Sequence, residues 1–273
     1  MLVHSVIVTI LFVLLNMISG LPYTDIEKKI EGDIRANDVY EYICLQSTTH
    51  KEAPGAEKNL TDECSPWKDN ACCTPDTAIK ALSFTLYSLN YDMCPQKRMS
   101  EQCKKHFIRD TCFYECSPNI GPWKEQIESA SRSQRFRHVP LCKSECQDWF
   151  NACADDYTCS DNWSKSYDNS LVNNSTNGTH ICERDPSERC KPFKDVFETA
   201  ENFCEKIWDH SWSVVDDSEP CMKLSFDSEK GNPNDLVAKK YAFHQFYLIN
   251  VSNLSPFIVP NVFLIFCMQK LFI

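Results

Sequence analysis

The stretch HFIRDTCFYECSPNIGPW, residues 106–123, sets one aspartate, Asp110, among aromatic side chains and the cysteines Cys112 and Cys116. A carboxylate in such company can be a solvated charge, a capping residue, a proton carrier, or a fixed acceptor that faces a bound ligand. From the residues alone, the plainest role for Asp110 is pairing with a nearby backbone group or with His106, one helical turn earlier. His106 and Asp110 could also share a helix face as base and acid, but no nucleophile elbow, metal triad or cofactor loop completes an enzyme site, so the chain reads as a non-enzyme. A second cluster lies in SASRSQRF, where the spacing of Arg132 and Arg135 would put both guanidinia on one helical face, with Arg137 close by. Alone, such a cluster is more often a solvated face. Adjacent Cys72 and Cys73, and the Cys112/Cys116 pair, match no zinc ribbon or finger spacing.

The elements that position these groups must be held by sulfur. Of the 17 cysteines, all but Cys267 lie between Cys44 and Cys221, in the polar body of the chain. That leaves an even set, as full pairing requires, and pairing on this scale belongs to an oxidising, extracellular compartment. Each bridge contributes about 2–4 kcal/mol by restricting the unfolded chain. Residues 1–20 carry an apolar run from Val6 to Leu15 and end on Ser19 and Gly20, which reads as a secretory signal peptide although its start lacks Lys and Arg. Sequons at Asn59, Asn162, Asn173, Asn174, Asn177, Asn250 and Asn253 agree, and the cluster in 168–181 marks an exposed, glycosylated loop. The apolar tail, 250–273, carries Lys270 near its end and is short for a membrane span, so it reads as a signal exchanged for a glycolipid (GPI) anchor. Its removal would also remove Cys267.

Between these ends, 21–249 is long enough for one compact extracellular domain with a sizeable core. The net charge of −10 argues against a general nucleic-acid surface. Helices are expected around 34–46, 75–91, 101–113, 192–210 and 233–246, with turns at Cys64-Ser-Pro, Ser117-Pro-Asn, Gly121-Pro and Gly231-Asn-Pro. In VPLCKSECQDWFNAC, Cys142, Cys146, Trp149 and Cys153 fall on one helical stripe, so that helix must be sewn to its neighbours. Alternation is weak throughout, and strands are expected to be short.

The phrases HKEAPGAEKNLTDECSPWKDNACC (50–73), CKKHFIRDTCFYECSPNIGPW (103–123), VPLCKSECQDW (139–149), YTCSDNW (157–163), EKIWDHSW (205–212) and FDSEKGNP (226–233), in this order, resemble the folate receptor family. The resemblance implies an α+β, helix-rich, disulfide-stapled single globular domain with short strands, eight bridges and a deep ligand pocket, pterin at its floor and glutamate tail at its mouth. Asp110 matches the aspartate that accepts hydrogen bonds from the pterin ring, and two carboxylate oxygens suit the parallel N–H donors of a 2-aminopyrimidine edge. Arg132 and Arg135 match arginines at the pterin's far edge. Tyr87 and Trp208 match the aromatics that sandwich the ring, Tyr114 a wall residue, and Ser211 a polar contact.

The departures lie toward the tail end of the ligand. Ser131 and Leu89 replace a family tryptophan and phenylalanine, and Ser164-Lys165-Ser166-Tyr167-Asp168-Asn169 stands where folate binders have His-Lys-Gly-Trp-Asn-Trp; Lys165 is kept and Tyr167 partly substitutes for a tryptophan. A kept pterin floor with a thinned tail clamp predicts weaker folate binding or a ligand with a smaller tail. The resemblance thus implies a cell-surface, GPI-anchored or secreted receptor that captures folate or a related pterin as ligand, without a cofactor, for uptake. The family also includes riboflavin-binding relatives and an egg-surface protein, Juno, so a binder of another heterocyclic vitamin or a module with a protein partner is the alternative.

Overall fold

The computed structural model describes residues 42–83, 86, 91–94, 97–127, 133–165 and 190–242. The expectations for residues 1–20, for 250–273, for Cys182, for the sequon cluster, and for Tyr87, Leu89, Ser131, Arg132 and Tyr167 fall outside them. The first described helix, α1 (Pro75–Leu82), is capped by Thr74, whose hydroxyl accepts from the Thr77 N–H, and stops well short of Tyr91, which is not helical.

The central helix is α2 (Glu101–Cys116). Ser100 caps it by accepting from the Cys103 N–H and is itself held by both carboxylate oxygens of Asp156. It ends at Ser117 because the residue before Pro118 is pushed to extended backbone. Cys103, Phe107, Asp110 and Phe113 follow one another at intervals of three or four and are all buried, so the acid lies on the apolar stripe of the helix.

Two short strands follow, β1 (Lys124–Gln126) and β2 (Gln134–Phe136), paired antiparallel with Glu125 opposite Arg135. Next comes β3 (Val139–Cys142), wholly buried, which runs into α3 (Lys143–Cys153) with Cys142 as its first cap residue. Strands β4 (Tyr157–Thr158) and β5 (Lys191–Pro192) pair antiparallel. Then come α4 (Phe193–Phe197), α5 (Ala200–Ile207) and β6 (Trp212–Val215), which pairs parallel to β3 with Trp212 opposite Val139. A last helix, α6, covers 234–242. The fold is helix-rich with short strands.

Seven disulfides join the described residues, Cys44–Cys72, Cys64–Cys112, Cys73–Cys116, Cys94–Cys190, Cys103–Cys153, Cys142–Cys221 and Cys146–Cys204, and Cys159 is bonded as well. The α3 stripe is sewn as its spacing requires: Cys153 to α2, Cys146 to α5, and Cys142 to the segment after β6. Adjacent Cys72 and Cys73 take different partners, so neither they nor Cys112 and Cys116 offer a thiolate to a metal. Between the stapled helices lies an aromatic core in which Phe107 stacks on Trp163 at 4.7 Å and meets Trp149 edge-on at 5.1 Å. Among the described residues no helix is long and apolar enough to cross a membrane.

Besides the helix expected over 75–91, which ends at Leu82, two helix expectations need correcting. The described part of 34–46, residues 42–46, is not helical, because Ile43 pairs with Asn119 and donates to the Pro118 carbonyl at 3.0 Å while Cys44 is tied to Cys72. The segment 192–210 is two helices, since Glu198 takes a left-handed φ of 65° and Thr199 caps a new start by accepting from Asn202.

Candidate ligand-binding site

Asp110 is 5 % exposed, and its Oδ1 accepts the indole N–H of Trp212 at 2.8 Å. Neither His106 nor local backbone is its partner; the charges around His106 are Arg109, Asp148, Glu63 and Lys105. Among the described residues no cation pairs with Asp110. Burial therefore pushes its carboxyl up to about 7, against the opposing pull of the Trp212 and Trp208 N–H groups. A carboxylate has about four acceptor directions, and the Trp212 bond uses one.

Trp208 faces the same carboxyl, yet its Nε1 is buried without meeting the geometry of a hydrogen bond. An unsatisfied buried donor costs about 1–3 kcal/mol, so an acceptor placed there gains what the folded chain forgoes. The ring is held edge-on against Phe107 at 6.3 Å and Trp163 at 5.8 Å. Its carbonyl takes the Ser211 hydroxyl at 2.9 Å and one Arg135 nitrogen at 3.4 Å. Thus Ser211 and Arg135 brace the turn that carries Trp208. Tyr91, which the sequence did not suggest, lies in the same aromatic group, stacked near Phe107 and Trp163 with its hydroxyl 2.7 Å from that of Thr111. Burial, and the charges of Asp110 and Glu115, push its phenol well up, so it stays neutral.

The turn itself, Asp209-His210, has φ values of 50° and 61°, a left-handed path that costs non-glycine residues energy unless neighbours impose it. Asp209 shows what imposes it. Its Oδ2 takes Arg135 Nη1 at 3.2 Å, its Oδ1 takes Asn162 Nδ2 at 3.0 Å and Lys165 Nζ at 2.9 Å, and its carbonyl takes a further short bond from Arg135. Burial alone would raise this carboxyl, but the hydrogen bonds of Lys165 and Asn162 and the charge of Arg135 hold it at about 2. Asn162 also caps the turn 163–165 by accepting the Lys165 backbone N–H at 3.0 Å.

The expected residues are therefore brought together unevenly. Asp110, Trp208, Ser211, Arg135 and Lys165 gather around the 208–212 turn, whereas Tyr114 lies one turn further along α2, packed on Phe136 at 5.4 Å and directed toward the Gln134 carbonyl. Arg135 is not on a helix: it stands in β2, opposite Glu125, which corrects the expectation of a shared helical face with Arg132. The three residues of β2 are too few for alternation to show in the sequence. Of the metal-ligand types, Cys142, Asp217 and Cys221 cluster, but the two sulfurs are bonded to each other.

These features define a class, a disulfide-stapled binding fold that holds a buried carboxyl among indoles. The folate receptor family model matches residues 43–223. Folate receptor alpha of Homo sapiens is 41 % identical over 206 residues, 73 % of this chain and 76 % of the receptor. Folate receptor gamma of Homo sapiens is 42 % identical over 205 residues, covering 73 % and 80 %. The riboflavin-binding protein of Gallus gallus is 26 % identical over 211 residues, covering 76 % and 79 %. The chain belongs to the folate receptor family.

Proposed function

We propose that this chain is a non-enzymatic extracellular receptor that captures folate or a related pterin, with residues 21–249 as the binding domain and the tail 250–273 exchanged for a glycolipid anchor. The observation that carries the reading is the buried carboxyl of Asp110, with acceptor directions to spare and the unpartnered Trp208 N–H beside it. A 2-aminopyrimidine edge supplies the parallel N–H donors that such a carboxylate lacks, and a ligand without them would leave it dry and unpaired. Arg132, Tyr87, Tyr114 and Tyr167 complete the ligand's surroundings, and Arg135 and Ser211 set the turn that aims Trp208. Uptake ends in release: in an acidified vesicle Asp110 takes up a proton and can accept fewer hydrogen bonds.

The test is a fluorescence titration of the secreted domain with folic acid, a tail-less pterin and riboflavin, repeated with Asp110→Ala. Saturation by the pterins that vanishes in the variant is expected. Saturation by riboflavin alone would make the chain a flavin carrier, and no response to any would leave recognition of a protein partner as its function.

A further inference from the structure

His138 and His210 come from distant parts of the chain and meet where the β3–β6 pair begins. The His138 N–H donates to the His210 carbonyl at 2.8 Å, the Val139 N–H to the Ser211 carbonyl at 2.9 Å, and the His210 N–H to the Glu205 carbonyl at 2.8 Å. The pairing from Val139 and Trp212 onward and the Cys142–Cys221 bridge fix both backbones beyond them. Both residues are exposed, and their ring centres lie 5.9 Å apart with the ring planes at 40°. Among the described residues neither imidazole takes a hydrogen bond or an ion pair, unlike His50, whose two nitrogens meet the Ser47 hydroxyl and the Tyr114 carbonyl. Both also stand at left-handed φ values, 55° and 61°, which glycine adopts at least cost, so two such positions side by side each present an imidazole.

We propose that His138 and His210 form a two-imidazole binding site for a divalent transition-metal ion of the zinc, copper and nickel class, the ions that imidazole nitrogen suits. An ion bound about 2.1 Å from each ring nitrogen stands about 3.2 Å from each ring centre, which at a tetrahedral angle sets the two centres about 5.2 Å apart. The rings are within about 1 Å of that spacing, and exposed side chains rotate to close it without moving the backbone. Among the described residues no third histidine, cysteine or carboxylate closes on the pair, so water completes the shell and the ion is exchangeable rather than structural. Bound metal ties the entry of β3 to the turn that carries Trp208. It stabilises the folded chain alone, because the unfolded chain does not bring the two residues together.

The test is a calorimetric titration of untagged protein with zinc chloride near neutral pH, for wild type, His138→Asn and His210→Asn, with guanidinium unfolding in the presence and absence of zinc. Asparagine accepts a left-handed φ, so the substitutions remove the imidazole and leave the backbone its path. Wild type is expected to bind zinc, and each variant to bind it at least about tenfold more weakly, with the zinc-induced rise in the unfolding midpoint lost in both. A wild type that binds no zinc at millimolar concentration overturns the proposal, as does a folded variant that binds it as tightly as wild type; should one variant not fold, the other decides.

Discussion

Replacing Asp110 by asparagine removes a charge from the core yet keeps the oxygen that accepts the Trp212 N–H. In the unfolded chain this carboxyl loses its proton near 3.8; in the folded chain burial delays that loss to about 7. Between those values the folded state holds a proton that the unfolded state has released, so wild-type stability falls as pH rises, by about 1.4 kcal/mol for each pH unit, and the loss is complete above about pH 7. The carboxyl thus costs the neutral protein about 4 kcal/mol, and the asparagine variant escapes that cost. The variant is expected to match wild type near pH 4 and to exceed it by a few kcal/mol near pH 8. Guanidinium unfolding with the disulfides intact, followed at several pH values, reads the difference from the midpoints and slopes. A difference that does not change with pH, or a wild type that is the more stable near pH 8, would refute the reasoning.

Further outcomes follow from the neighbours of Asp110. Trp212→Phe removes a hydrogen bond to a buried carboxyl and should cost about 1.5–3 kcal/mol beyond the lost packing, whereas Trp208→Phe, which removes an unpartnered N–H, should cost less stability but weaken pterin binding; denaturant midpoints and ligand titrations in the opposite order would contradict this. Asn59 is exposed, while the Asn162 amide is committed to Asp209 and to the Lys165 N–H, so glycopeptide mass spectrometry should find a glycan at Asn59 and none at Asn162.

What was legible of the fold was what local pattern controls. The stripe of Cys146, Trp149 and Cys153 announced a helix that must be bridged, and the structure bridges it on both sulfurs. The start of α2 and its stop before Pro118 follow from neighbouring residues. The break at Glu198 was hidden because α4 and α5 are short and each is amphipathic by itself, so the pattern continues across it. Asp110 itself could be singled out, but its partner could not: Trp212 lies 102 positions away and is brought to it by the β3–β6 pairing and the bridges around α3. Asp209 escaped notice for a like reason, since its four contacts come from Arg135, Asn162 and Lys165, which no periodicity connects. Trp208-Asp209-His210 fell at the end of the helix expected over 192–210, so no local pattern marked the turn that Arg135, Asn162 and Lys165 hold there.

The affinity of the wild-type domain for a pterin, measured across pH, tests most directly whether Asp110 is the ligand's acceptor. Only the ionised carboxylate accepts from both N–H groups, and the unliganded carboxyl titrates at about 7. Affinity is therefore expected to be constant above that pH and to fall about tenfold for each unit below it. The same affinity near pH 5 and near pH 8 would show that some other group receives the heterocycle.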